Sequence, residues 1–141
     1  MAKIKKQEVA KVQSVLLIDE DQIDNFINER MILSTNFAEQ VIVKNSAQKA
    51  LEYLTNVVKE NAELPGLIFL DLNMPVMDGF AFLESLEKNN ELLEKLLPQT
   101  KIIVLSSSIS PADIDRASAN PYVFKYLNKP LTEKYLNAIN L

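Results

Sequence analysis

The chain contains no cysteine and no histidine, and only two glycines, Gly66 and Gly79, among 141 residues. Without cysteine there can be no thiolate metal site, redox pair or thiol nucleophile, and the composition suits a reducing compartment. Without histidine there can be no histidine-based triad, no imidazole ligation and no phosphohistidine on this chain. Two isolated glycines cannot build a glycine-rich phosphate cradle, which excludes the nucleotide-binding folds that need one. No apolar run is long enough to span a bilayer. The basic start, MAKIKKQEVAKVQ, lacks the apolar core of a signal peptide, so a cytoplasmic location is expected. Fifteen basic and nineteen acidic residues give a net charge of -4. With no dense basic run, neither nucleic acid nor membrane is an expected partner.

What is present is an ordinary globular composition, 48% hydrophobic and 24% charged, enough for one domain around one core. Residues 1–13 read as a polar leader and residues 14–141 as the domain. Short apolar runs at residues 15–18, 41–43, 67–70, 101–105 and 123–127 read as strands, several of them continuous enough to be buried on both faces. Between them lie helical patterns. One starts near Ile23, with Phe26, Ile27 and Leu33 in helical period, and is capped by Asp21 or Glu20. A second follows Ser46, with Ala47, Ala50, Leu51, Leu54, Val57 and Val58 on one face. A third runs from Phe80, and residues 89–97 either prolong it or follow it with a short extra turn. A fourth runs from Pro111 to about residue 120, and a last one spans residues 131–139. Five strands alternating with five helices imply an α/β fold, a parallel sheet with right-handed crossovers and helices on both faces.

In such a sheet every strand's carboxyl end lies on one edge, the edge where ligands bind. Asp19 and Glu20 end the first strand, Asp71 the third, Ser106 the fourth and Lys129 the fifth. Each has a plainer use: acids after a strand commonly cap helices, a lysine before proline is usually solvated, and loop serines are commonplace. Placed together they match the needs of phosphoryl transfer to a carboxylate. Converging carboxylates resist ionising unless a cation sits among them, and hard oxygens in small number suit magnesium. A lysine and a hydroxyl would spread over the phosphoryl oxygens.

The sequence resembles the receiver domains of two-component response regulators. The resemblance runs from about Val12 to Leu141 and is carried by LLIDED, FLDLNMPVMDG, VLSSS and YLNKP in that order and spacing. It implies a flavodoxin-like, doubly wound five-stranded sheet in the order 2-1-3-4-5. It implies that Asp71 is the phosphoacceptor, fed by a histidine kinase or histidine phosphotransfer protein. A magnesium or manganese ion would be held by Asp19, Glu20, Asp71 and the backbone carbonyl of Asn73. Ser106 and Lys129 would meet the phosphoryl group, and Ser106 and Tyr126 would form the switch that changes contacts with a downstream protein. The bond before Pro130 is expected to be cis. No enzyme activity is expected beyond self-catalysed phosphoryl acceptance and slow loss.

Departures from the family pattern are mild: Glu20 where aspartate is common, Ser106 where threonine is common, and a long segment over residues 89–99. Twelve residues follow Lys129, room for one helix, so a stand-alone receiver is expected. Residues Gln22, Ile23 and Phe26 offer a docking surface for the phosphodonor, or else part of the core. A receiver-like binding module that is never phosphorylated is the main rival, although such modules commonly lose the acids or the lysine. A phosphatase of the haloacid dehalogenase type, with Asp19 as nucleophile, would need another acidic pair after the lysine. A flavodoxin-like flavin binder would find three acids where it needs hydroxyls and amides.

Overall fold

The structure, a computed structural model, describes residues 9–141. Five strands, β1 (Val12–Ile18), β2 (Ala38–Lys44), β3 (Leu67–Leu70), β4 (Lys101–Ser106) and β5 (Val123–Asn128), form one parallel sheet. Their order is β2-β1-β3-β4-β5, the doubly wound arrangement expected. The first eight residues of the expected leader lie outside the described residues. Its end belongs to the sheet, because β1 starts at Val12 and pairs it with Ala38.

Side chains alternate across the sheet. Leu16, Ile18, Ile68, Leu70 and Ile102 face one way, Val15, Leu17, Leu67, Phe69, Ile103 and Leu105 the other, and all are buried. Sheet residues covered on both sides have no polar positions to offer, which is why β3 is four consecutive apolar residues.

Among the described residues there are six helices: α1 (Gln22–Ser34), α2 (Ala47–Lys59), α3 (Gly79–Lys88), α4 (Asn90–Leu96), α5 (Pro111–Ala119) and α6 (Glu133–Ala138). Helices α2, α3 and α4 pack on the first face, while α1 and α6 pack on the second. The sixth helix corrects the expectation of five, and Asn89 is its cause. The Asn89 N–H donates to the Leu86 carbonyl and closes α3, while its side-chain oxygen accepts the Leu92 N–H and opens α4. Residues 89–97 therefore follow the third helix and do not prolong it.

Helix α1 is built the reverse of α2. The buried residues of α1 are Asn25, Asn28 and Ile32, whereas Ile23, Phe26, Ile27 and Leu33 are exposed. The apolar period in this stretch marks the outer face. Its inner face packs Ile32 into the core and otherwise lies on backbone: Asn25 Nδ2 donates to the Asp19 carbonyl at 2.7 Å, and Asn28 Oδ1 accepts the Leu131 N–H at 3.1 Å. Both contacts place an amide where an apolar side chain would leave a buried peptide group unpaired. Asp21 starts the helix, its carboxylate accepting from the N–H groups of Ile23 and Asp24.

Candidate functional site

The edge of the sheet is assembled by the ladder running one step beyond its strands. The Asp19 N–H donates to the Lys44 carbonyl, the Asp71 N–H to the Ile18 carbonyl and the Lys129 N–H to the Ser106 carbonyl. These bonds set Asp19, Asp71 and Lys129 side by side although 110 residues separate the first from the last. Beneath Asp71, α3 begins at Gly79, whose N–H donates to the Leu72 carbonyl. A Cβ at Gly79 would stand 2.5 Å from the Asp71 carbonyl oxygen, so only glycine lets the helix approach so near.

Asp19 and Asp71 are 2% and 5% exposed. The Lys129 ammonium lies between them, 2.6 Å from Asp19 Oδ2 and 3.5 Å from Asp71 Oδ1. A third carboxylate, Asp24 Oδ2, accepts from the same ammonium at 2.9 Å. The contact to Asp19 is short and that to Asp71 long, and neither oxygen accepts a well-formed hydrogen bond. They are ion contacts that leave lone pairs uncommitted. The Lys129–Pro130 peptide bond is cis.

The electrostatics follow from this crowding. Burial raises the Asp71 carboxyl from its ordinary 3.8 to about 6, and Asp19 beside it adds to the rise. Lys129 and the Asn73 N–H pull the other way without cancelling it. For Lys129, burial alone would lower the ammonium's pKa, but the carboxylates of Asp19, Asp24 and Asp71 outweigh it and hold it above the usual lysine value. The lysine stays charged; the acid ionises reluctantly.

Two buried carboxylate oxygens that accept no hydrogen bond and are held only by ion contact with Lys129 are a donor set that fits a small divalent cation completed by water. The fit is partial. Among the described residues no three acidic side chains are gathered closely enough to form a metal cage unaided. Glu20 is exposed, turned outward where Asp19 is turned in.

Along the same edge, Ser106 is fully buried and its Oγ accepts the Ser108 N–H at 3.1 Å. The Ser108 carbonyl in turn accepts from the Tyr126 hydroxyl at 2.8 Å and from Asn128 Nδ2 at 3.2 Å. Ser108 Oγ donates to Asp113 on α5 at 2.8 Å. The loop from β4 to α5 is therefore tied to β5 at one end and α5 at the other. The Tyr126 ring, half-buried, packs with Leu72, Phe80, Val104 and Ala117.

The sequence model of the response regulator receiver domain matches residues 15–140. The chain belongs to that family. A two-component response regulator from Cytophaga hutchinsonii superposes with a TM-score of 0.81 and 32% identity, covering 89% of this chain and 92% of the other. Response regulator Rcp1 from Synechocystis is 28% identical over 116 residues, 82% of this chain and 75% of that protein. The Mn(2+)-bound form of Rcp1 has been solved and matches with a TM-score of 0.65 and 26% identity over 89% of this chain and 87% of that one. Receiver domains are in general non-enzymatic signalling modules that bind a divalent metal and work with histidine kinases and downstream targets.

Within this receiver, the residues singled out in the sequence separate into two groups. Asp19, Asp71 and Lys129 meet directly. Ser106, at the end of β4, and Tyr126, on β5, are joined to each other through Ser108 in the β4–α5 loop. Asn73 offers its N–H to Asp71. Asp24 was missed by sequence reasoning. Its signal was available, because Asn28 stands four residues after Asp24 and three after Asn25, spacings that make it a neighbour of both on the helix surface. A polar stripe on a helix that also carries a complete apolar stripe indicates that one of the two is buried for a reason.

Proposed function

We propose that Asp71 accepts a phosphoryl group from a phosphohistidine of a histidine kinase or histidine phosphotransfer protein. The observation that supports this above all others is the Lys129 ammonium lodged between two buried carboxylates at the carboxyl edge of the sheet. In the reaction an Asp71 carboxylate oxygen attacks phosphorus, an O–P bond forms, the N–P bond breaks, and the electron pair leaves with the donor's imidazole. Lys129 is placed to balance the charge that gathers on the phosphoryl oxygens. A magnesium or manganese ion held by Asp19, Asp71, Glu20 and the Asn73 carbonyl would supply further charge neutralisation when bound. Glu20 would have to turn inward to join it.

The phosphoryl group brings a charge of about -1.5 to -2 and three acceptor oxygens to a buried position. Ser106 Oγ, now accepting from Ser108, would donate to that group, and the loop tied to Tyr126 would repack with it. The exposed apolar side of α1, with Ile23 and Phe26 beside Gln22, is the proposed contact for the donor, and the β4–α5 loop with Tyr126 the part read by the downstream protein.

Incubation with magnesium and acetyl phosphate, followed by intact-mass measurement, tests the reading. A single-phosphoryl adduct is expected in the unaltered protein and none in Asp71→Asn. Failure of the unaltered protein to form an adduct, or an adduct that survives Asp71→Asn, refutes it.

A further inference from the structure

The Lys129 ammonium is shared among three carboxylates, with Asp19 Oδ2 nearest at 2.6 Å, and the third, Asp24, is neither of the buried acids. Asp24 Oδ2 accepts from the ammonium at 2.9 Å, closer than Asp71 Oδ1 at 3.5 Å. Asp24 stands in the first turn of α1, and its place there is fixed from both directions. Asn25 ties the helix to the Asp19 carbonyl, and Asn28 ties it to the Leu131 N–H, two residues beyond the lysine. An ammonium has three donors but one charge, and it serves several acceptors only in proportion to how well each is placed. Asp24 therefore competes with Asp71 for Lys129.

We propose that Asp24 is a positioning residue for phosphoryl transfer: a resting counter-anion from which Lys129 is partly withdrawn when Asp71 carries a phosphoryl group. This rests on Asp71 being the acceptor. Asp24 touches none of the reacting atoms and acts only through the lysine, by setting how firmly the ammonium is held before transfer. A phosphorylated Asp71 offers more charge and more acceptor oxygens than the free carboxylate, so it draws the ammonium away from Asp24. Neutralising Asp24 removes the opposing pull and favours the phosphorylated state over the resting one. The Asp24 side chain is 36% exposed. An ion pair with so open a partner shifts an equilibrium by about two- to fivefold and not by orders of magnitude.

Asp24→Asn keeps the shape and an acceptor oxygen while removing the charge. With saturating magnesium, its affinity for beryllofluoride, a phosphoryl mimic followed by fluorine NMR, should rise by about two- to fivefold. Asp24→Glu, which restores the charge, should bind like the unaltered protein. In a Lys129→Ala background Asp24→Asn should change nothing. Unchanged or weaker binding by Asp24→Asn overturns the proposal, as does a rise of the same size without the lysine. The Lys129 ammonium resonance in nitrogen NMR supplies a readout that needs no phosphoryl chemistry. It should move on Asp24→Asn, and a resonance that stays fixed overturns the pairing. If the unaltered protein binds no beryllofluoride at Asp71, the acceptor assignment and the positioning role fall together, whereas a failure confined to the Asp24 variants leaves the acceptor assignment standing.

Discussion

Replacing Asp71 with asparagine should make the protein more stable at neutral pH while abolishing phosphoryl acceptance. The folded carboxyl titrates near pH 6, the unfolded one near 3.8. Between those values the folded chain holds a proton that the unfolded chain has released, so stability falls as pH rises. Below about 3.8 both forms are protonated and there is no penalty; above about 6 both are ionised and the penalty is complete. The interval corresponds to about 3 kcal/mol. Asparagine is neutral throughout, keeps the size of the side chain and can still accept the Asn73 N–H, so it is spared that penalty. In a chain of 141 residues this amounts to about 10 °C in midpoint temperature. The assay is thermal or urea unfolding of both proteins, with a chelator present, from about pH 4 to about pH 8. The gap should be widest at the alkaline end and close toward the acidic end. A variant no more stable than the parent at neutral pH, or a gap indifferent to pH, would refute the argument that burial and Asp19 oppose ionisation of Asp71.

Gly79→Ala should lower stability by about 1–3 kcal/mol, because its new methyl group meets backbone at the Asp71 carbonyl oxygen and, 2.9 Å away, at Leu72 Cα. Urea unfolding reads the loss, the rate of adduct formation should fall with it, and an unchanged midpoint contradicts the close approach. Asn28→Ala strips the buried Leu131 N–H of its acceptor and should lower stability by about 1–3 kcal/mol, checked by the same unfolding. Equal stability would mean that water or another group takes over the bond.

Much of the fold was legible in the sequence because burial on both faces leaves no choice of residue type. The run LIFL cannot be anything but interior, and the acid after it falls at the sheet's edge by counting alone. Helix starts were legible where a side chain does the capping, as at Asp21 and Ser46. The direction of α1 was not, since a helical period says that a helix has two sides and not which one meets the sheet. The answer depended on backbone groups at Asp19 and Leu131 that only the assembled chain brings near. Neighbouring acids hid a similar ambiguity: Asp19 and Glu20 look equivalent in a string of letters, yet just past the end of β1 the first is buried and the second, at a bend, is exposed. The polar side of α1 marked Asp24 as a residue facing inward, but its partner, Lys129, lies 105 residues away and could not be named from that local pattern.

The attachment of α1 through amides has an evolutionary corollary. Since Asn25 and Asn28 grip peptide groups that every sequence possesses, the outward residues of that helix bear almost no responsibility for folding. The fold does not constrain them; only the partner they meet does, and a duplicated gene could acquire a new correspondent by altering Ile23, Phe26 and Ile27 while its interior and its chemistry stayed untouched.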